Sequence, residues 1–154
     1  MKALRIRRAR VADAAVIALH RVGMLRDMGF LKPRDAAWLE RRSRAYFRTE
    51  IPRGSFLGWV AEFEGEAVGS IGVLPRAMLP SPAFRKVLLE PHVLNMYVEP
   101  AWRRKGVARA LMAAVLAWSR RKGAPRVSLH ASKMGRPLYD ALGFQPTNEL
   151  RLAL

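Results

Sequence analysis

Hydrophobic and polar positions change period several times along the chain, and each change marks an element. Leu4 and Ile6 alternate with Arg5 and Arg7, the period of a short half-buried strand. Asp13 is placed as an N-cap, and from it the spacing turns helical to about Leu25, with Val16, Leu19 and Val22 near one face. Asp27-Met28-Gly29 ends that helix. Pro33 opens a second one, with Asp35 in its first turn and Trp38, Leu39, Ala45 and Tyr46 as its expected inner side. A break follows at Pro52-Arg53-Gly54. Residues 56–63 and 67–73 are strands joined by the turn Glu64-Gly65-Glu66; apolar on both faces, they belong inside a sheet rather than at its edge. Pro75, Pro80, Pro82 and Pro91 make most of residues 74–91 a surface loop, of a size that often borders a site.

The next stretch organises the rest. Residues 92–109 read H-V-L-N-M-Y-V, then E-P-A-W, then R-R-K-G-V-A-R. An apolar strand runs into a loop that carries three cations and a glycine. Val107, Leu111, Ala114, Val115 and Trp118 then repeat at helical spacing, until Arg120, Arg121, Lys122 and Gly123 close the helix and Pro125 prevents its return. Residues 126–130 form a strand, and Ser132 is placed to cap a short helix over 137–142, ended by Gly143-Phe144. Leu150, Leu152 and Leu154 alternate as a last strand. The predicted order is β-α-α-β-β-β-α-β-α-β, a mixed α/β fold in one domain over residues 1–154. The right-handed crossover rule makes its central strand–helix–strand unit parallel.

The loop before the long helix has a physical use. A helix N-terminus offers unpaired N–H donors and the positive end of the macrodipole, which suits a phosphate. In Arg103-Arg104-Lys105-Gly106-Val107-Ala108, Gly106 lets backbone approach a ligand, Ala108 keeps the first turn slim, and the cations add charge beside the amides. The competing interpretation is an ordinary basic loop with a glycine turn. Strand and long helix on either side favour the phosphate site.

Composition narrows the options further. The chain has no cysteine, which excludes disulfides, thiolate metal sites and a cysteine nucleophile, and its three histidines are scattered, so no metal is expected. No apolar run approaches the ~20 residues of a membrane span. The basic start M-K-A-L-R-I-R-R lacks the apolar core of a signal peptide, so a cytoplasmic protein is expected. The net charge of +16 draws polyanions, including an anionic cofactor. Arginine is spread along the whole chain, and no zinc-finger spacing, aromatic RNA-binding signature or basic heptad array accompanies it, so nucleic acid is not the expected partner.

With these residues in view, N-M-Y-V-E-P, R-R-K-G-V-A and the later L-Y-D-A-L-G-F resemble the GNAT (GCN5-related) N-acetyltransferase superfamily over about residues 93–144. The resemblance implies a mostly antiparallel mixed sheet whose central parallel strands splay apart around acetyl-CoA. It implies that Met96, Tyr97 and Val98 pair through their backbone with the pantetheine arm, and that amides from Arg104 to Arg109, beside the charges of Arg103, Arg104 and Lys105, hold the pyrophosphate. Tyr139 falls where the family places a tyrosine beside the cofactor sulfur. The departing thiolate has a pKa of roughly 8.5 and a phenol one near ~10, and Tyr139 can hydrogen-bond or protonate it; the alternative is a half-buried ring packed on Leu138 and Leu142. Many members carry asparagine a few residues earlier, where Ser132 is the nearest polar group here.

An attacking amine with a pKa of about 10.4 must lose a proton at neutral pH. His92 stands where several members carry a glutamate or histidine base; otherwise it closes the proline-rich loop. Glu90 and Glu99 are the fallbacks, and His130 and His20 are read as structural. Asn95 either meets substrate or satisfies backbone groups at a strand distortion. The expected activity is acetyl transfer from acetyl-CoA to an amine by direct attack. A non-catalytic acyl-CoA-sensing or polyanion-binding module on the same fold is the alternative. A homodimer through residues 150–154 is a further expectation.

Overall fold

In the computed structural model, which describes residues 3–84 and 89–154, five strands form one sheet in the order β1-β2-β3-β4-β5. They are β1 Arg5–Arg8, β2 Leu57–Phe63, β3 Glu66–Ala77, β4 Leu89–Val98 and β5 Ser128–Leu129. The first four are antiparallel, and β4 pairs with β5 in parallel, His92 opposite Ser128 and Val93 opposite Leu129. Helices α1 (Ala14–Asp27) and α2 (Ala36–Arg53) follow β1; α3 (Val107–Arg121) links β4 to β5, and α4 (Arg136–Ala141) comes last.

The two-faced apolarity of the hairpin has a direct cause. Trp59, Ala61, Ile71 and Val73 face α3 and pack on Leu111, Met112 and Val115. Phe56 and Val60 face the other way, onto Ala14, Ile17, Ala18 and Phe47 of α1 and α2. Strands buried on both sides cannot alternate apolar with polar.

Several expected boundaries move. β3 and β4 extend past their predicted ends, with Pro75 paired to Pro91 and Ala77 to Leu89, so the surface loop shrinks to the residues between 77 and 89; its residues 85–88, like Met1 and Lys2 at the basic start, lie outside the described residues. Helix α2 runs through Pro52 and stops at Gly54, whose φ is 73°. Proline is tolerated there because only one backbone bond of the final turn is lost. Asp13 does not cap α1 with its side chain; its carboxylate accepts from the Arg10 N–H at 2.7 Å and from both terminal nitrogens of Arg7 at 2.9 Å.

The inner faces of the first two helices also differ from the expectation. Leu19, Trp38 and Tyr46 are exposed, while Ala14, Ile17, Ala18, Ser43 and Phe47 turn inward. Small residues let α1 lie close to the sheet. Residues 145–154 form no strand, and Leu150, Leu152 and Leu154 are exposed, so the predicted order ends at α4. The reason is the shortness of β5: a two-residue strand offers too little edge for another to pair along.

Gly23, inside α1, sits against β4. A Cβ built there would lie 2.6 Å from the Tyr97 ring, so the ring fills the place of a side chain. Gly23→Ala would by helix propensity alone stabilise the fold by about 1 kcal/mol. Overpacking costs typically ~1–3 kcal/mol and is expected to win. Urea titration should show a lower midpoint with unchanged slope; a raised midpoint would mean that the ring can retreat.

Candidate active site

A cleft of about 730 Å³ opens where β4 and β5 part. They are paired only as far as Val93 and Leu129, yet β4 runs on to Val98. The divergence has a local origin. Between Leu94, opposite Gly72, and Tyr97, opposite Ser70, β4 holds two residues against the one on β3. That is a β-bulge, and at it Asn95 takes a φ of 56°. The bulge turns β4 away from β5 and leaves the edge of its last residues facing the cleft.

The far end of the cleft is the start of α3. The N–H groups of Val107, Ala108 and Arg109 precede the first intrahelical bond, which Ala110 donates to the Gly106 carbonyl at 3.0 Å. Two left-handed residues shape the approach, Arg104 with φ 62° and Gly106 with φ 83°. No acidic residue occupies the first turn. Arg103 braces this loop from behind: it donates from Nε to the Val98 carbonyl at 2.9 Å, reaches Asp27 at the end of α1 at 2.5 Å, and lies over the Tyr97 ring.

Between these ends sit the titratable groups. Tyr139 is buried on α4, with its ring edge-on to Phe144, and burial raises its pKa. Ser132 Oγ accepts the Gly135 N–H at 3.1 Å, which fixes the turn before α4; Gly135 in turn leaves room for the Tyr139 ring. His92 is buried, its Nδ1 3.0 Å from Ser128 Oγ. Burial lowers its pKa, and the charges of Arg76 and His130 lower it further. The His130 ring stands edge-on to His92 at 4.9 Å, with its own Nε2 2.9 Å from Glu149. Among the described residues no three His, Asp or Glu side chains are grouped to hold a metal ion, and no helix is long and apolar enough to cross a membrane.

A family model described as an acetyltransferase (GNAT) domain matches residues 17–152. The chain belongs to the GNAT family. A GCN5-related N-acetyltransferase from Ralstonia eutropha superposes with a TM-score of 0.87 at 29% identity, covering 99% of both chains. A predicted acetyltransferase from Clostridium acetobutylicum, solved with acetyl-CoA, gives 0.85 at 25% identity over 98% of this chain and 96% of that one. Human N-acetyltransferase 8 is 34% identical over 100 residues, 63% of this chain and 41% of that protein. Mouse N-acetyltransferase family 8 member 3 is 31% identical over 105 residues, 66% and 44%. The chain therefore spans about two fifths of the length of the curated relatives it matches.

Within this GNAT fold, the residues expected to form the site converge on one cleft: Met96, Tyr97, Val98, Arg103, Arg104, Gly106, Val107, Ala108, Arg109, Ser132, Tyr139 and His92 all line it. Lys105 does not; its ammonium lies over the Trp102 ring. Neither fallback base lines the cleft. Burial would raise the Glu90 carboxyl, but hydrogen bonds from Arg126 and Ser128 hold its pKa down; Glu99 instead faces His20 Nε2 at 3.4 Å. Asn95 does sit at a strand distortion, but its side chain satisfies no backbone group: Oδ1 accepts from Arg21 at 3.3 Å and Nδ2 has no partner. Several lining residues had no site role in the sequence reading, His130 and Arg21 among them. His130 was legible in principle, because the parallel register that sets His92 opposite Ser128 carries residue 130 to the mouth of the gap. Arg21 carried no signal among so many arginines.

Proposed function

We propose that the chain is one catalytic domain, an acetyl-CoA-dependent N-acetyltransferase working by direct attack of an amine. The observation that carries this reading is the bulge at Asn95, which opens a single cleft between the α3 amides at one end and His92 and Tyr139 nearer the other. The residues present fit an acyl-CoA. The first-turn amides and Gly106 would hold the pyrophosphate, and the free edge of β4 over Met96 to Val98 would hold the arm. Acetyl-CoA supplies an activated acyl carbon there, where a new N–C bond forms as the C–S bond breaks. His92 takes the proton released by the amine, directly or through water, and Tyr139 hands its phenolic proton to the departing sulfur. Arg103 positions the cradle rather than serving as its anion contact. Ser132, tied to Gly135, orients α4. A cytoplasmic setting agrees with the cysteine-free composition, and exposed Leu150, Leu152 and Leu154 keep a homodimer within the proposal.

Thiol release from acetyl-CoA, measured across a panel of amines, tests the reading, and the cysteine-free chain adds no thiol background. Stimulation by some amine is expected. Acetyl-CoA binding without thiol release from any amine would favour the sensing module instead.

The histidine makes a further prediction. Its folded pKa lies below the ordinary 6.5, so His92 is neutral and competent at pH 7 and becomes protonated only in more acid solution. With rates expressed per free amine, kcat/KM should fall on the acid side, with a midpoint below the 6.5 of an ordinary histidine. His92→Gln should remove that acid limb and slow turnover by about tenfold, water replacing the base.

A further inference from the structure

A second cavity of about 390 Å³ lies between α1, α2 and β4, beside the main cleft, and shares Arg21, Leu94 and Asn95 with it. Three observations define its chemistry. The shared wall is polar and incomplete: Asn95 is 4% exposed, and its Nδ2 has no partner although its Oδ1 accepts from Arg21. A buried amide N–H left unpaired costs about 1–3 kcal/mol unless something completes it. Arg21 also lacks an anion. Burial disfavours its charge, and no carboxylate pairs with it among the described residues. Among the described residues no acidic side chain lines the second cavity, and Asp27, which lines the first, is held by Arg103. The rest of the wall is mostly apolar, with Trp38, Leu39, Tyr46, Phe47 and Phe56 broken only by Arg42 and Ser43, and with Trp38 and Tyr46 exposed at the surface.

A half-buried guanidinium and an orphan amide N–H side by side form a donor set for a planar oxyanion. Aromatic rings beyond them suit an apolar group. Resting on the acetyltransferase reading, we propose that this cavity selects the acceptor, and that the acceptor is an amine bearing a carboxylate and an apolar group, as an amino acid with an apolar side chain does. Arg21 and the Asn95 amide hold the carboxylate, and the apolar group lies against Trp38, Leu39 and Tyr46. The net charge of +16 turns polycationic amines away but does not repel a zwitterionic amino acid.

The experiment compares L-phenylalanine with phenethylamine, which keeps the ring and amine but lacks the carboxylate. In the thiol-release assay the kcat/KM for phenylalanine is expected to exceed that for phenethylamine by at least about tenfold. Arg21→Gln should bring the two within about threefold of each other, chiefly through the KM for phenylalanine, and Arg21→Lys should restore part of the preference. A phenethylamine rate equal to or above that of phenylalanine overturns the proposal, as does an Arg21→Gln variant that slows both acceptors alike. Binding is read separately, as the rise in Tm with N-acetylphenylalanine against N-acetylphenethylamine in the presence of CoA. An Arg21-dependent rise with the first compound alone, without turnover of any amine, supports the carboxylate site while refuting the transferase reading. Turnover of phenethylamine but not phenylalanine does the reverse.

Discussion

Replacing Tyr139 by phenylalanine is expected to slow acetyl transfer at least about tenfold, towards the 10²-fold that a positioned general acid contributes. The substitution keeps the ring, which fills the hollow left by Gly135 and stands edge-on to Phe144. Packing and Tm should therefore hardly change, and the loss is assignable to the hydroxyl. Burial raises the Tyr139 pKa above the usual 10, so the group is protonated throughout the working pH range and able to donate. The departing thiolate has a pKa of roughly 8.5, below that of the phenol, so full transfer runs uphill and the hydroxyl helps most by sharing its proton as charge builds on sulfur and the C–S bond breaks. The loss should thus appear in kcat, with the affinity for acetyl-CoA altered little. Equal kcat values in the two proteins would reduce Tyr139 to a packing residue. A non-catalytic polyanion-binding module on this fold predicts instead that Tyr139→Phe leaves its binding intact, with binding to nucleic acid that weakens steeply with salt.

The parts of the site that were legible in the sequence are those where one residue type has one physical use. Gly106 before a long amphipathic helix, three neighbouring cations and a preceding apolar strand constrain one another, and the structure brings Gly106, Arg103, Arg104 and the strand to one cleft, with Lys105 alone turned aside onto Trp102. The acceptor side resisted for a physical reason. Aromatic residues at helical spacing usually mark a core face, which puts Trp38 and Tyr46 on the expected inner side of α2. They are instead exposed, and they line a cavity whose floor is Phe47 and Phe56. A helix that borders a binding site carries apolar residues on two faces, and periodicity cannot tell which face meets the core. Asn95 shows the same limit within a strand. Its positive φ follows from one extra residue in β4 relative to β3, a property of pairing that neither strand encodes alone. The alternating leucines at 150–154 fail in the opposite sense, since alternation makes a strand only where an edge exists to receive it.

Gly106→Val is expected to weaken acetyl-CoA binding by about 10²-fold, which corresponds to ~2.7 kcal/mol. Gly106 has a φ of 83°, a region that a β-branched residue enters only as an outlier, so the loop must shift and the amides behind it lose their aim. Strain alone would be an ambiguous cause, and the same helix supplies its control. Gly123, just past the other end of α3, also has a positive φ, 71°, and a Cβ on either glycine would meet no protein atom within 4 Å. Both valine substitutions therefore meet open space and pay a similar backbone strain, about 1–2 kcal/mol for an L-residue in the left-handed region. Stability should fall alike in the two variants, as read by urea titration. Affinity for acetyl-CoA, read by calorimetry, should fall only for Gly106→Val. Gly123 lies at the negative end of the helix dipole beside Arg120, Arg121 and Lys122, where no phosphate is placed. Equal affinities in both variants would mean that the pyrophosphate does not sit at the start of α3. Equal losses in both would mean that the effect is carried by the stability of the helix and not by the cradle.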